Sequence, residues 1–254
     1  MSQPAGNRLR DTRPGLRRQP HQQSGNGATR RRRSLLQETA GILVTAVVVS
    51  LIIKTVLVQA FFIPSGSMEP TLHGCPGCLG DRVLVNKLTD QMGGVSRGDI
   101  VVFHDSSGWL TPASSTPGLE SRVQDALATI GLAPTTSESD LVKRVIGIGG
   151  DTVEGRGGKV YVNGTQLDEP YVFSGNSPSD VDFRVTVPVG KLWVMGDHRS
   201  ESADSRFHMH DPGKGFIPMK DVVGRAFVIV WPLDRIGSLN RPATFDRLSV
   251  SPRR

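Results

Sequence analysis

DLVKRVIGIGGD, residues 140–151, is a run of strand-forming residues closed by a Gly-Gly-Asp turn. Side chains alternate across an extended chain, so Leu141, Lys143 and Val145 point to one side and Val142, Arg144 and Ile146 to the other. Lys143 therefore stands on an otherwise apolar face. A lysine so placed either snorkels at a sheet edge or is buried. Burial disfavours the ammonium and lowers the pKa. A neutral lysine amine is a competent general base, and a serine hydroxyl needs such a base to attack a carbonyl.

The neighbouring stretches share the strand pattern. DRVLVNKL (81–88), GDIVVFH (98–104), KVYVNGTQL (159–167), RVTVPVGKLWVMG (184–196) and GRAFVIVWPL (224–233) alternate or run apolar between Gly, Pro and Asn turns. That is the signature of antiparallel sheet, with Asn163-Gly164 at the bend of a hairpin. The fold class expected is mainly β, an antiparallel sheet domain anchored by one N-terminal transmembrane helix.

The anchor is read from TAGILVTAVVVSLIIKTVLVQAFFI, residues 39–63, in which Lys54 is the only charge. The run is long enough to cross a hydrocarbon layer of roughly 30 Å. A cleaved secretory signal is the competing reading, with Val58–Ala60 as a faint cleavage site. Ahead of the run lies a tail rich in Arg, Pro, Gly and Gln, which cannot offset the entropy of folding and reads as disordered. Residues 1–60 carry nine arginines and Lys54 against Asp11 and Glu38, while the whole chain has a net charge of +6, so the remainder is slightly acidic. Arginines beside the span place the N-terminus in the cytoplasm and the rest of the chain outside. The organisation expected is an Arg-rich tail over 1–34, a transmembrane helix over 35–63, a β domain over 64–240 and a C-terminal tail over 241–254. An insertion over 105–139 carries one short helix in PGLESRVQDALATIG.

Cys75 and Cys78 are the only cysteines. Two ligands do not make a structural zinc site, and outside the cytoplasm a disulfide is favoured. HMHD, residues 208–211, suggests a metal pair only weakly, so neither metal nor cofactor is expected. Asp197 and His198 are adjacent and would point opposite ways, which argues against a Ser/His/Asp triad built on them.

Two further stretches bear on the chemistry. PSGSMEPTL, residues 64–72, is a turn holding Ser65 and Ser67 at its tip just after the apolar run. MGDHRSESADSRFH, residues 195–208, is dense in hydroxyls, acids and arginines. Taken in order with RGDIVVF, LVKRVIGIGGD and GFIPMKDVVGRA, these stretches resemble the bacterial type I signal peptidases, Ser/Lys enzymes that release exported proteins from the membrane. The likeness runs from about Phe61 to Trp231. It implies Ser67 as nucleophile and Lys143 as general base, with Ser65 lending its hydroxyl to the oxyanion hole. It further implies that Ser202 hydrogen-bonds the lysine amine and that Asp204 and Arg206 fix the loop. Phe61, Ile63, Pro64, Met68, Leu72 and Val142 would wall shallow pockets that accept alanines at an Ala-x-Ala cleavage site.

The activity implied is removal of signal peptides from exported pre-proteins. The partners implied are those pre-proteins, membrane lipids and nearby export machinery, with no nucleic acid, and the location is the bacterial cell membrane with the catalytic domain outside. The chain departs from the family where His198, Ser200 and Glu201 replace the usual Asn and Asp, and where Gly149–Asp151 shortens a Gly-Pro-Gly-Asp turn. A non-catalytic, membrane-tethered peptide-binding domain is the alternative from another class. A soluble repressor-type autoprotease is disfavoured by the disordered tail and the span.

Overall fold

The computed structural model describes residues 37–50, 57–75, 78–87, 94–110 and 139–248. The chain divides into two compact units, Met1–Val47 and Val48–Arg254. A helix, α1, covers 37–50 with its side chains exposed, among them Ile42, Leu43, Val44, Val47, Val48 and Val49. Among the described residues no helix is long and apolar enough to cross a membrane. Residues 51–56, the middle of the expected span, lie outside the described residues, as do the tail over 1–34 and the helix expected within the insertion.

The described strands are, in chain order, β1 (Val58–Phe62), β2 (Arg82–Asn86), β3 (Ile100–His104), β4 (Asp140–Ile148), β5 (Thr152–Arg156), β6 (Lys159–Val162), β7 (Thr165–Gln166), β8 (Phe183–Thr186), β9 (Lys191–Met195), β10 (Ile217–Pro218), β11 (Val222–Trp231) and β12 (Gly237–Ser238). β1 corrects the sequence expectation, because the transmembrane helix was to run through residue 63. VQAFF pairs instead with β2 from Val58 opposite Asn86 to Phe62 opposite Arg82. It is an edge strand and pairs on that one side, and Phe61 is buried at 3% exposure.

The larger sheet runs β1-β2-β11-β3-β4-β9-β10, with β12 on β11, and the smaller runs β7-β6-β5-β8; every pairing is antiparallel. Apolar runs such as IVVF in β3 follow from burial on both faces. Ile100 and Val102 join Phe61, Met68, Leu72, Val83, Val85 and Ile229 in one cluster, while Val101 and Phe103 join Val145, Leu192 and Val194 in another. A third cluster packs Val153, Val160, Val162 and Phe183 of the smaller sheet against Trp193 and Met195 of the larger. The hairpin at Asn163-Gly164 forms as expected, with φ of 53° and 81° in the left-handed region that such turns require.

The stretch 184–196 proves to be two strands in different sheets, β8 against β5 and β9 against β4. The C-terminal tail expected from residue 241 is also corrected. Residues 243–247 form a short 3-10 helix, and Phe245 and Leu248 are buried in the third cluster, so the domain extends at least to 248. Phe245 stacks on Tyr171 with centroids 6.1 Å apart, an apolar contact distant in sequence.

Candidate active site

The turn after β1 is pinned from beneath. Ile63 N–H donates to Asp81 O at 2.9 Å, the 3-10 turn Gly66–Met68 follows, and Leu72 N–H returns to Met68 O at 2.9 Å. Met68 and Leu72, 1% and 0% exposed, anchor this turn in the core while Ser65 stays exposed. Gly74 lies so close beneath that a Cβ there would stand 2.4 Å from Ile63 O. The turn therefore presents hydroxyls on a backbone with little freedom to shift: Ser65 Oγ and Ser67 Oγ are 3.4 Å apart.

β4 brings the lysine to that turn. Lys143 Nζ lies 2.9 Å from Ser67 Oγ and donates to Val142 O at 3.1 Å. Lys143 is 3% exposed. Burial lowers its pKa from 10.5 to about 8, against the opposing charges of Asp204 and Asp197. A shift of that size corresponds to about 3 kcal/mol of disfavoured charge. It leaves the amine close to the protonation balance a general base requires at neutral or mildly alkaline pH.

The next residue, Arg144, builds the frame. Its guanidinium grips Asp197 in two bonds of 2.8 and 2.6 Å, donates to Gly98 O at 2.9 Å and lies 4.2 Å over the Tyr171 ring. Burial alone would lower its pKa, but the charge and hydrogen bonds of Asp197 raise it. Asp197 also accepts from Thr71 Oγ1 at 2.5 Å, and the adjoining His198 N–H donates to Ser67 O at 3.2 Å. One carboxylate thus ties β4, the acidic loop and the Ser65–Ser67 turn together. Because Asp197 is committed to Arg144 and Thr71, it does not orient His198, whose ring stacks on Phe173 at 4.0 Å.

Asp204 and Arg206 pair in two bonds of 2.9 Å, and Asp204 accepts the Gly196 N–H at 3.0 Å. Arg206 then donates to Arg199 O at 2.8 Å, and Arg199 pairs with Glu169 at 2.6 Å. These buried charges are all partnered, as low-dielectric surroundings demand. Ser202 departs from expectation: its hydroxyl is buried and has no hydrogen-bond partner among the described residues, the lysine amine included. It sits instead against Gly196, where a Cβ would stand 2.2 Å from Ser202 Oγ and 2.4 Å from Ser67 O.

A cavity of about 500 Å³ opens at Ser65, Ser67 and Lys143. The residues expected from sequence to wall the substrate pockets lie largely in one core cluster. Phe61, Ile63, Met68 and Leu72 are core residues with at most 3% exposure, Val142 packs against the same cluster, and Pro64 is exposed. None of the six lines the cavity. Its walls are Trp109, Leu110 and Leu141 together with Glu69, His198, Glu201 and Ala203. At the cavity edge Cys75 forms a disulfide with Cys78, as compartment reasoning from the sequence anticipated. His208 of the HMHD stretch bonds Asp211 Oδ2 through Nδ1 at 2.6 Å and stacks on Trp109.

The family model described as "Signal peptidase, peptidase S26" matches residues 36–231. A probable signal peptidase I of Mycobacterium leprae is 40% identical over 238 residues, covering 83% of this chain and 82% of that protein. A signal peptidase I of Mycobacterium tuberculosis is 42% identical over 224 residues, covering 81% and 76%. A probable signal peptidase I-2 of a Synechocystis species is 34% identical over 215 residues, covering 85% and 82%.

Proposed function

This chain belongs to the S26 family of signal peptidases, and from that premise we propose that Ser67 and Lys143 carry its hydrolytic chemistry. The protein is a serine endopeptidase that removes signal peptides from precursor proteins. The alternative of a non-catalytic peptide-binding domain has no support among these relatives.

The observation that carries the dyad is the 2.9 Å contact between Ser67 Oγ and a buried amine whose pKa burial lowers to about 8. In the neutral form Lys143 takes the Ser67 proton as Oγ adds to the scissile carbonyl. The Ser67 N–H and the Ser65 hydroxyl receive the developing oxyanion. The resulting ammonium returns its proton to the departing amine, leaving an acyl-enzyme. The amine then takes a proton from water, whose oxygen attacks the ester, and on collapse the proton passes to Ser67 Oγ. Asp197, through Arg144, Thr71 and the adjoining His198 N–H, holds base and nucleophile at bonding distance. Asp204 and Arg206 keep the acidic loop closed over the lysine.

Cleavage after Ala-x-Ala type sites fits the tight surroundings of Ser67, which is 8% exposed. The exposed apolar side chains of α1 and the apolar sequence that continues it support a single membrane anchor with the Arg-rich end in the cytoplasm. The Cys75–Cys78 disulfide supports a catalytic domain outside. Its partners are then pre-proteins delivered by export machinery within a lipid bilayer.

The test is incubation of the purified full-length protein with a precursor bearing an intact signal peptide, comparing wild type with Ser67→Ala. Loss of cleavage in a folded variant supports the dyad, and retained cleavage refutes it.

A further inference from the structure

The cavity at the dyad has two unlike walls. Glu69, His198 and Glu201 are polar, whereas Trp109, Leu110 and Leu141 are apolar. At about 500 Å³ it far exceeds the space an alanine methyl needs and falls within the range that holds several residues of an extended ligand. Leu141 shares a face of β4 with Lys143 and stands two residues from it, about 7 Å along the strand. A peptide laid against β4 with its scissile carbonyl at Ser67 therefore carries a nearby side chain to the Trp109 wall.

Trp109 is held rather than free. Its ring meets Phe103 edge-on at 5.9 Å and lies parallel to His208 at 4.3 Å, with 5° between the planes. His208 is fixed in turn by Asp211. The preceding loop is closed by Asp105, which accepts from Ser107 N–H at 3.2 Å and Leu110 N–H at 2.7 Å, and by a hydrogen bond from Ser106 to Asp221. Trp109 is 9% exposed and lines the cavity, so it offers a rigid strip of indole whose ordering cost was met on folding.

We propose that Trp109, with Leu110 and Leu141, forms a subsite that selects a large apolar side chain of the precursor near the scissile bond, and that His208 positions the indole. The subsite is separate from the small-residue requirement at the cut. It rests on the reading of this cavity as the peptide site.

The experiment measures kcat and KM on precursor peptides in which each of three positions on either side of the cut is varied in turn among Gly, Leu, Phe and Asp. The enzymes are the full-length wild type, Trp109→Ala, Trp109→Phe and His208→Ala, with circular dichroism and melting to establish folding. At one position the wild type favours Leu or Phe over Gly by about tenfold in kcat/KM. Trp109→Ala reduces that preference to about twofold or less, mainly through KM, while Trp109→Phe keeps most of it and His208→Ala loses part. No side-chain preference at any position, or a preference unchanged in Trp109→Ala, overturns the proposal. Equal loss on all peptides through kcat also overturns it. Since the readout is a ratio between substrates, it is distinct from failure of the dyad, which appears as cleavage persisting in Ser67→Ala.

Discussion

On the cleft face of β4, Lys143 is 3% exposed and, among the described residues, meets the Ser67 hydroxyl and the Val142 carbonyl oxygen within hydrogen-bond reach. On the opposite face, Arg144 is 2% exposed and grips Asp197 in two bonds. The two residues are adjacent, basic and equally buried, yet one pKa falls to about 8 and the other rises. Burial alone therefore does not make a base. What separates the faces is whether a carboxylate stands within bonding distance. Asp197 and Asp204 act on Lys143 only through space, too weakly to offset its loss of water.

The comparison breaks most visibly if the cleft-face residue is given a charge that it cannot lose. Lys143→Arg should lower kcat/KM by about 10³-fold or more, because a guanidinium cannot serve as base in this range. Precursor cleavage by a variant of wild-type circular dichroism checks it, and near-normal turnover would refute the base assignment.

The converse change is made on the other face. Asp197→Asn leaves Arg144 buried without its counter-charge, and stability should fall by about 3–5 kcal/mol in a denaturant titration. A loss under about 1 kcal/mol would mean that the frame does not depend on this pair.

Titration sharpens the same contrast. Cleavage rate should rise with pH and level off above a midpoint of about 8, as Lys143 deprotonates. Its folded pKa lies below the unfolded value, so between about 8 and 10.5 the unfolded chain holds a proton that the native one has released. The contribution of Lys143 to stability therefore rises through that window, by up to about 3 kcal/mol. A rate profile flat from pH 6 to 10, which Lys143→Met should share at its residual level, would place the base elsewhere. The smallest effect is expected at Ser202. Its hydroxyl has no partner among the described residues, so Ser202→Ala should change stability by no more than about 1 kcal/mol. A much larger loss would reveal a bond to the lysine side.

How far the sequence carried this reading varies with the range of the interaction that decides each feature. The apolar-face placement of Lys143 was legible because a period of two over Leu141 to Val145 is local, whereas the Ser67 turn alone reads as a loop and stood out only through the likeness of several stretches taken in order. β1 was not, since VQAFF continues an apolar run whose composition suits helix and strand alike; only its pairing with Arg82–Asn86 settles it. The cavity wall was missed for a related reason. Trp109 reaches the dyad through contacts with Phe103 and with His208, ninety-nine positions away, and no spacing rule relates them. The clamp of Arg144 on Asp197 spans fifty-three positions, and its signal was present only as an arginine among apolar neighbours.

Gly196 has a practical consequence. Because a Cβ there would lie 2.2 Å from Ser202 Oγ and 2.4 Å from Ser67 O, Gly196→Ala drives a wedge between the acidic loop and the nucleophile turn while leaving every reactive group in the chain. Such a variant should cleave precursors far more slowly although Ser67 and Lys143 are both still present, and cleavage at the wild-type rate would show that the turn yields without consequence.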